Sequence, residues 1–311
     1  MIRSVVSLLV VLLAVLSGCS AGAPQTVAET MATDTLDVRP FGPVFEEARA
    51  LGMDPRGQLY VADAGAAVVA TLAPDGRPLA ALGGPGTGDY AFLDPSGIDP
   101  TNGLVLLVAD TGNARIQRFS RDGQLIESLP VPSNLGDSDR EGFRDTPTAD
   151  RGSGQGRPTA VAAAVTGEVY TVEEVQGVVV RWDERRRFDR VVGGLAENEG
   201  ALSEPVGLAV GPDGRLFVAD RGHAAVLVYD PFGLYLRRVA DGVARDLRGV
   251  TVVGDRLVLV LPHQVLLYGL DGRRRGAFAV PTPEPLVGVA GDEDRLVLLT
   301  PTRLFAADLP R

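Results

Sequence analysis

An all-β fold, built from six short antiparallel sheets of four strands each, is predicted by three features of the sequence. Apolar and polar residues alternate in short runs rich in Val and Leu, as in Gly214-Arg215-Leu216-Phe217-Val218-Ala219, which is strand periodicity. Asp75-Gly76, Asp122-Gly123, Asp213-Gly214 and Asp271-Gly272 separate such runs, where turns need a residue that tolerates positive φ. Finally, no long stretch after the first residues carries the period of an amphipathic helix.

A repeat groups these strands. Each unit holds an apolar-Gly-apolar segment, a polar turn, a Leu-Tyr/Phe-Val-Ala-Asp segment and a further strand. Copies occupy 50–63 and 97–110; the most complete runs from Val206 to Asp220, and looser ones lie at 159–173, 248–261 and 287–300. Asp63 and Asp110 are 47 residues apart, as are Glu173 and Asp220, whereas Asp110 and Glu173 are 63 apart and enclose an insertion. Four short strands per unit at a fixed period predict the blades of a β-propeller, and six copies predict six blades.

Taken in chain order, Arg3 and the apolar run Val5 to Leu16 have the form of a secretory leader, too short to span a bilayer as a mature helix. Leu16-Ser17-Gly18-Cys19 resembles the bacterial lipobox, whose Cys takes a thioether-linked diacylglycerol and becomes the new N-terminus. The resemblance implies a leader over 1–18, a lipid on Cys19 and an extracytoplasmic protein anchored in a membrane, with Ser20 pointing to the outer one. Cys19 is the only cysteine, so no intrachain disulfide competes for it. Residues 19–33 are small and polar and read as a flexible tether. The segment 34–42 resembles the outermost strand of other blades, such as 188–194. The last copy supplies only three strands, so 34–42 is expected to complete the sixth blade and remove an open edge. The propeller therefore spans 34–311. Within it, the insertion 133–157 is rich in Gly and acidic residues and is either functional or disordered.

Leu106-Leu107-Val108-Ala109-Asp110-Thr111-Gly112-Asn113-Ala114-Arg115-Ile116 resembles the NHL repeat, whose signature runs Tyr-Val-Ala-Asp-x-Gly-Asn-x-Arg-Ile. The first and fourth copies keep Asp-x-Gly but lose Asn and Arg; the fifth and sixth keep only the pattern of strands. The resemblance implies a rigid scaffold that presents loops to a partner. Enzymes of similar shape are implied as relatives too. Amidating and streptogramin lyases rest on His ligands, and none stands where the innermost strands begin here. Lactonases of similar shape use Glu, Asn and Asp around Ca²⁺.

Strands of a blade alternate in direction, so the second-to-third strand loops share a face with the loops between blades. Asp63, Asp110, Glu173 and Asp220 end second strands on that face. Two roles fit them: accepting backbone N–H groups of their own turns, or forming a carboxylate ring for Ca²⁺ or a cationic ligand. Asn113 and Arg115 are expected to tie neighbouring strands together. His223 and His263, the only histidines, fall in equivalent loops of successive blades, as surface residues or, with Asp220, as part of a metal site. A net charge of -10 opposes binding to nucleic acid. No phosphate loop, nucleophile elbow or Cys/His pair is present. The expected protein is a monomeric envelope scaffold that binds a protein, peptide or glycan. A structural calcium is the one cofactor left open. The alternative is a Ca- or Zn-dependent hydrolase or lyase acting on an extracytoplasmic small molecule.

Overall fold

The computed structural model describes residues 34–100, 103–132, 135, 156–194 and 199–309. The leader, Cys19, the tether and all of the insertion except Leu135, Gly156 and Arg157 lie outside the described residues. What is described is a six-bladed β-propeller of four-stranded antiparallel blades. β1 (Asp34–Thr35) and β2 (Val38–Val44) come first. Blade 1 is β3 (Ala48–Met53), β4 (Leu59–Asp63), β5 (Val68–Leu72) and β6 (Pro78–Gly83). Blade 2 is β7 (Pro95–Asp99), β8 (Val105–Asp110), β9 (Arg115–Ser120) and β10 (Leu125–Pro130). Blade 3 is β11 (Pro158–Ala163), β12 (Val169–Glu173), β13 (Val178–Trp182) and β14 (Phe188–Val192). Blade 4 is β15 (Pro205–Val210), β16 (Leu216–Asp220), β17 (Ala225–Tyr229) and β18 (Tyr235–Val239). Blade 5 is β19 (Gly249–Val253), β20 (Arg256–Leu261), β21 (Gln264–Gly269) and β22 (Arg274–Ala279). β23 (Gly288–Gly291), β24 (Arg295–Leu299) and β25 (Arg303–Asp308) belong to blade 6.

The core lies between blades. One cluster joins Tyr60 and Val69 of blade 1 to Ile98, Val108 and Phe119 of blade 2. Another joins Leu59 and Val61 of blade 1 to Val297 and Leu299 of blade 6. Neighbours in β4 thus face opposite blades, as strand alternation requires. Both faces of every second strand are covered, so β4, β12 and β16 are buried along their whole length. That is why these strands read as continuous apolar runs. Trp182 is buried between blades 2 and 3.

The ring closes through the N-terminal segment, with one difference in detail from expectation. β2 is the fourth strand of blade 6, antiparallel to β25, pairing Val38 with Ala307 and Phe41 with Leu304. The first two residues of the expected strand are diverted. β1 pairs in parallel with β22 on the outer edge of blade 5, Asp34 opposite Phe278. Leu36 explains the split. It is 2% exposed and sits in the cluster between blades 5 and 6, so the chain crosses from one blade to the next at that side chain.

Candidate functional site: the central channel and its carboxylate-framed mouth

The four carboxylates at the ends of second strands are buried, at 0 to 4% exposure. Each bonds both the segment entering its blade and the loop after its own strand. Asp63 accepts from the N–H groups of Glu46 and Glu47 at 3.0 and 2.8 Å, in the segment entering its blade, and from Ala66 N at 3.4 Å in its own turn. Asp220 accepts from Ser203 N and Glu204 N at 2.7 and 3.1 Å and from His223 N at 3.0 Å. Glu173 accepts from Arg157 N at 2.9 Å and Gln176 N at 2.8 Å. Asp110 takes Leu93 N at 2.8 Å, then three side chains: Asn113 at 2.8, Arg115 at 2.8 and Gln117 at 3.2 Å. The carboxylate therefore staples the incoming segment to the loop after the second strand. The Gly of Asp-x-Gly has a matching cause. A Cβ on Gly112 would lie 2.6 Å from the Leu93 carbonyl oxygen, and one on Gly65 2.7 Å from Glu46 Cβ. Blade 3 has Val175 at this place, and there the longer Glu173 replaces Asp.

Asn113 and Arg115 do tie elements together, but mainly to the loop between blades 1 and 2. Asn113 Nδ2 donates to Gly86 O at 2.9 Å, and Arg115 Nη2 to Gly88 O and Ala91 O at 2.8 and 2.9 Å. Gln117 joins this network through Ala91 O; sequence reasoning passed it over because its partner is fixed only by the loop's path. The two histidines differ in their surroundings. His223 Nδ1 lies 3.3 Å from Asp220 Oδ1, whereas His263 is exposed in the next blade. Among the described residues no group of three or more His, Cys, Asp or Glu side chains is placed to hold a metal.

The staple shapes the channel mouth. In blades 1 to 4, which carry the carboxylate, the inner strand shifts register beside it: between Ala48 and Ala50, Pro95 and Gly97, Pro158 and Ala160, Pro205 and Gly207. Each shift is a β-bulge with one extra residue, the device that re-aims a side chain. The extra residues are Arg49, Ser96, Thr159 and Val206, and all four line the channel. Blades 5 and 6 have Leu261 and Thr300 in place of the carboxylate, and their inner pairings run without a shift. In blade 6 the arrangement is inverted. Glu284 in the incoming segment accepts from Thr302 Oγ1 at 2.7 Å and from Thr302 N at 3.3 Å, bonds that hold its carboxyl below the usual range.

One step deeper lies a ring of small residues: Ala50, Gly97, Ala160, Gly207, Gly249 and Gly288. A Cβ on Gly97 would sit 2.8 Å from Ala160 Cα, and one on Gly207 3.0 Å from Gly249 Cα, so this ring lets the inner strands converge. The channel encloses about 600 Å³ and is lined by all six inner strands. Its walls mix apolar and polar surface, with Leu51, Ile98, Val161, Leu208, Val250 and Val289 among the lining residues. Charged side chains stand at its ends. Arg49 and Arg248 come from the starts of inner strands, and Asp99 from the end of one. Arg49 is paired with Glu47 at 2.7 Å; Arg248 is exposed.

The chain is thus a six-bladed β-propeller, and its repeat is of a known kind. A family model for the NHL repeat matches residues 202–229, the first three strands of blade 4 and the segment leading into them. No curated protein matches the chain. Among solved structures it is similar to a gluconolactonase from Xanthomonas campestris, at 17% identity over 88% of this chain and 89% of that one, TM-score 0.64. It is similar to virginiamycin B lyase from Staphylococcus aureus, at 14% identity over 86% and 82%, TM-score 0.56. A chain of a nidogen/laminin complex is 18% identical over 78% and 84%, TM-score 0.57. At these identities the likeness concerns the fold.

Proposed function

We propose that the chain is a lipid-anchored, extracytoplasmic binding module that receives its ligand at the bulge-framed mouth of the central channel. Cys19 carries the lipid, residues 19–33 serve as the tether, and the ligand is an envelope protein, peptide or glycan. The observation that carries this reading is the make-up of the channel: apolar lining residues interspersed with polar surface, and a few polar side chains set at the opening on strands, the mixture that ligand sites use in general. Among the described residues the Arg248 side chain has no hydrogen bond or ion pair, so it can meet an acidic or hydroxyl-bearing group without breaking an existing contact.

The test is capture of partners from native envelopes with wild-type chain and with Arg248→Ala. A partner that is retained by the wild type and lost by the variant, at equal thermal stability, supports the reading; equal capture overturns the assignment of the mouth. Metabolic labelling with a fatty acid and cell fractionation test the anchor. Cys19→Ala should lose the label and leave the membrane fraction, and a membrane-bound variant would refute lipidation.

The likeness in fold to a gluconolactonase and a lyase favours a second reading, a metal-dependent hydrolase or lyase. The donor set does not fit it well: Asp99 is the one carboxylate lining the channel among the described residues, whereas Ca²⁺ takes six to eight oxygens. Metal analysis of the purified protein separates the two readings. Stoichiometric metal that is lost in Asp99→Asn would move the assignment to the enzyme.

A further inference from the structure

Five hairpins join third strands to fourth strands, and four of them turn on glycine. Gly76, Gly123, Gly233 and Gly272 have φ of +86°, +77°, +85° and +85°. Blade 3 breaks the pattern, since Arg186 takes that position at φ +63°. A left-handed backbone strains any residue with a Cβ, and such outliers persist only where surrounding structure holds them. No requirement of the turn itself calls for Arg here, because the same turn is made by Gly four times over.

The guanidinium shows where the residue is held. Arg186 Nη1 donates to the carbonyls of Gly167 and Glu184, the latter at 2.9 Å. The side chain then reaches the neighbouring blade. Its Nε lies 3.4 Å from Glu127 Oε1 of β10, yet that Nε is buried and makes no hydrogen bond. Arg118 of β9 already donates to the same Glu127 oxygen at 2.8 Å. Two guanidinium groups therefore share one carboxylate oxygen, with their side chains 21% and 17% exposed. Burial first, and the Arg118 charge second, hold Arg186 below the ordinary guanidinium range.

Both arginines line a cavity of about 230 Å³ in the cleft between blades 2 and 3, together with Leu107, Val169 and Asp99. Asp99 is the only acid in the lining, and its Oδ2 accepts from Ala163 N at 2.6 Å. Asp99, Ala163 and Val165 also line the central channel, so the cavity opens beside the channel's far end from Arg49.

We propose that this cleft is a binding site for a small oxyanion, a carboxylate or phosphate group, received by those N–H groups of Arg186 and Arg118 that face the cavity and are not already bonded within the chain. Planar guanidinium groups suit such anions because they offer paired donors at fixed spacing. The strained turn has a purpose in this reading: it aims Arg186 into the cleft. The site is separate from the channel mouth and stands whether or not the mouth binds a partner.

The experiment is calorimetric titration of the full-length chain with inorganic phosphate and, separately, with acetate. The wild type should bind at least one of them saturably. Arg186→Gly installs the residue that the other hairpins use, so it should keep or raise the melting temperature while weakening the anion about ten- to a hundredfold, the ratio set by one charge-assisted hydrogen bond. Arg118→Gln should weaken it comparably, and decides the matter if Arg186→Gly fails to fold. A wild type that binds neither anion overturns the proposal. So does binding that survives both substitutions.

Discussion

Asp110 is fully buried and accepts from one backbone N–H and three side chains, among them Arg115 with its side chain 14% exposed. Removing the acid would leave a nearly buried guanidinium short of its counter-charge. Losing one partner of a buried ion pair costs about 3–5 kcal/mol, so Asp110→Ala should lower the unfolding free energy by about that amount in urea denaturation. Glycines make a matched contrast. Gly112→Ala drives a methyl against the Leu93 carbonyl, whereas nothing lies within 4 Å of a Cβ at Gly249. Overpacking of this kind costs about 1–3 kcal/mol; the first change should show that loss and the second should fall well below it, measured side by side. The sequence displayed the Asp and the Gly of these motifs because they recur at one spacing. It hid Gln117 and Glu284, whose partners come from loops that only the folded path brings near.

Closure is a property of elements. Leu36 is one side chain, but it fixes where β1 leaves blade 5 and β2 enters blade 6. Leu36→Ala should cost about 2–4 kcal/mol, as buried Leu truncations do, read as a shift of the denaturation midpoint. Deletion of 34–44 should do more. It would bare the edge of β25, and an unpaired edge is a template for other chains, so light scattering should report aggregation at temperatures where the intact chain stays clear. Equal clarity and stability would count against the seam. The need for a donated strand was legible, because the last unit is one strand short. The division into two strands was not, since Leu36 looks like any apolar residue until its neighbours from blades 5 and 6 surround it. The bulges were equally hidden. One extra residue in an inner strand leaves no mark on composition, yet it decides which side chains reach the channel.

At the scale of the whole ring, stability has a built-in alkaline limit. Burial raises the phenol pKa of Tyr60, Tyr170, Tyr229 and Tyr268 above the ordinary value. In each case the folded chain keeps a proton that the unfolded chain gives up near pH 10. Their contribution is therefore complete below about pH 10 and is lost as pH rises from there toward the folded values. Unfolding free energy should stay flat up to about pH 10 and then fall, with phenolate absorbance appearing together with loss of structure. Phenolate that appears well before unfolding would contradict the burial.

The seam in blade 6 also sets an order of events during synthesis. β2 is made near the start, but its partner β25 follows only after the whole segment 45–302. Blades 1 to 5 each complete their four strands within a continuous stretch of chain and can form as they emerge. The first strand waits. Until β25 arrives it has no antiparallel neighbour, so the ring cannot shut before the last strand of the propeller is in place.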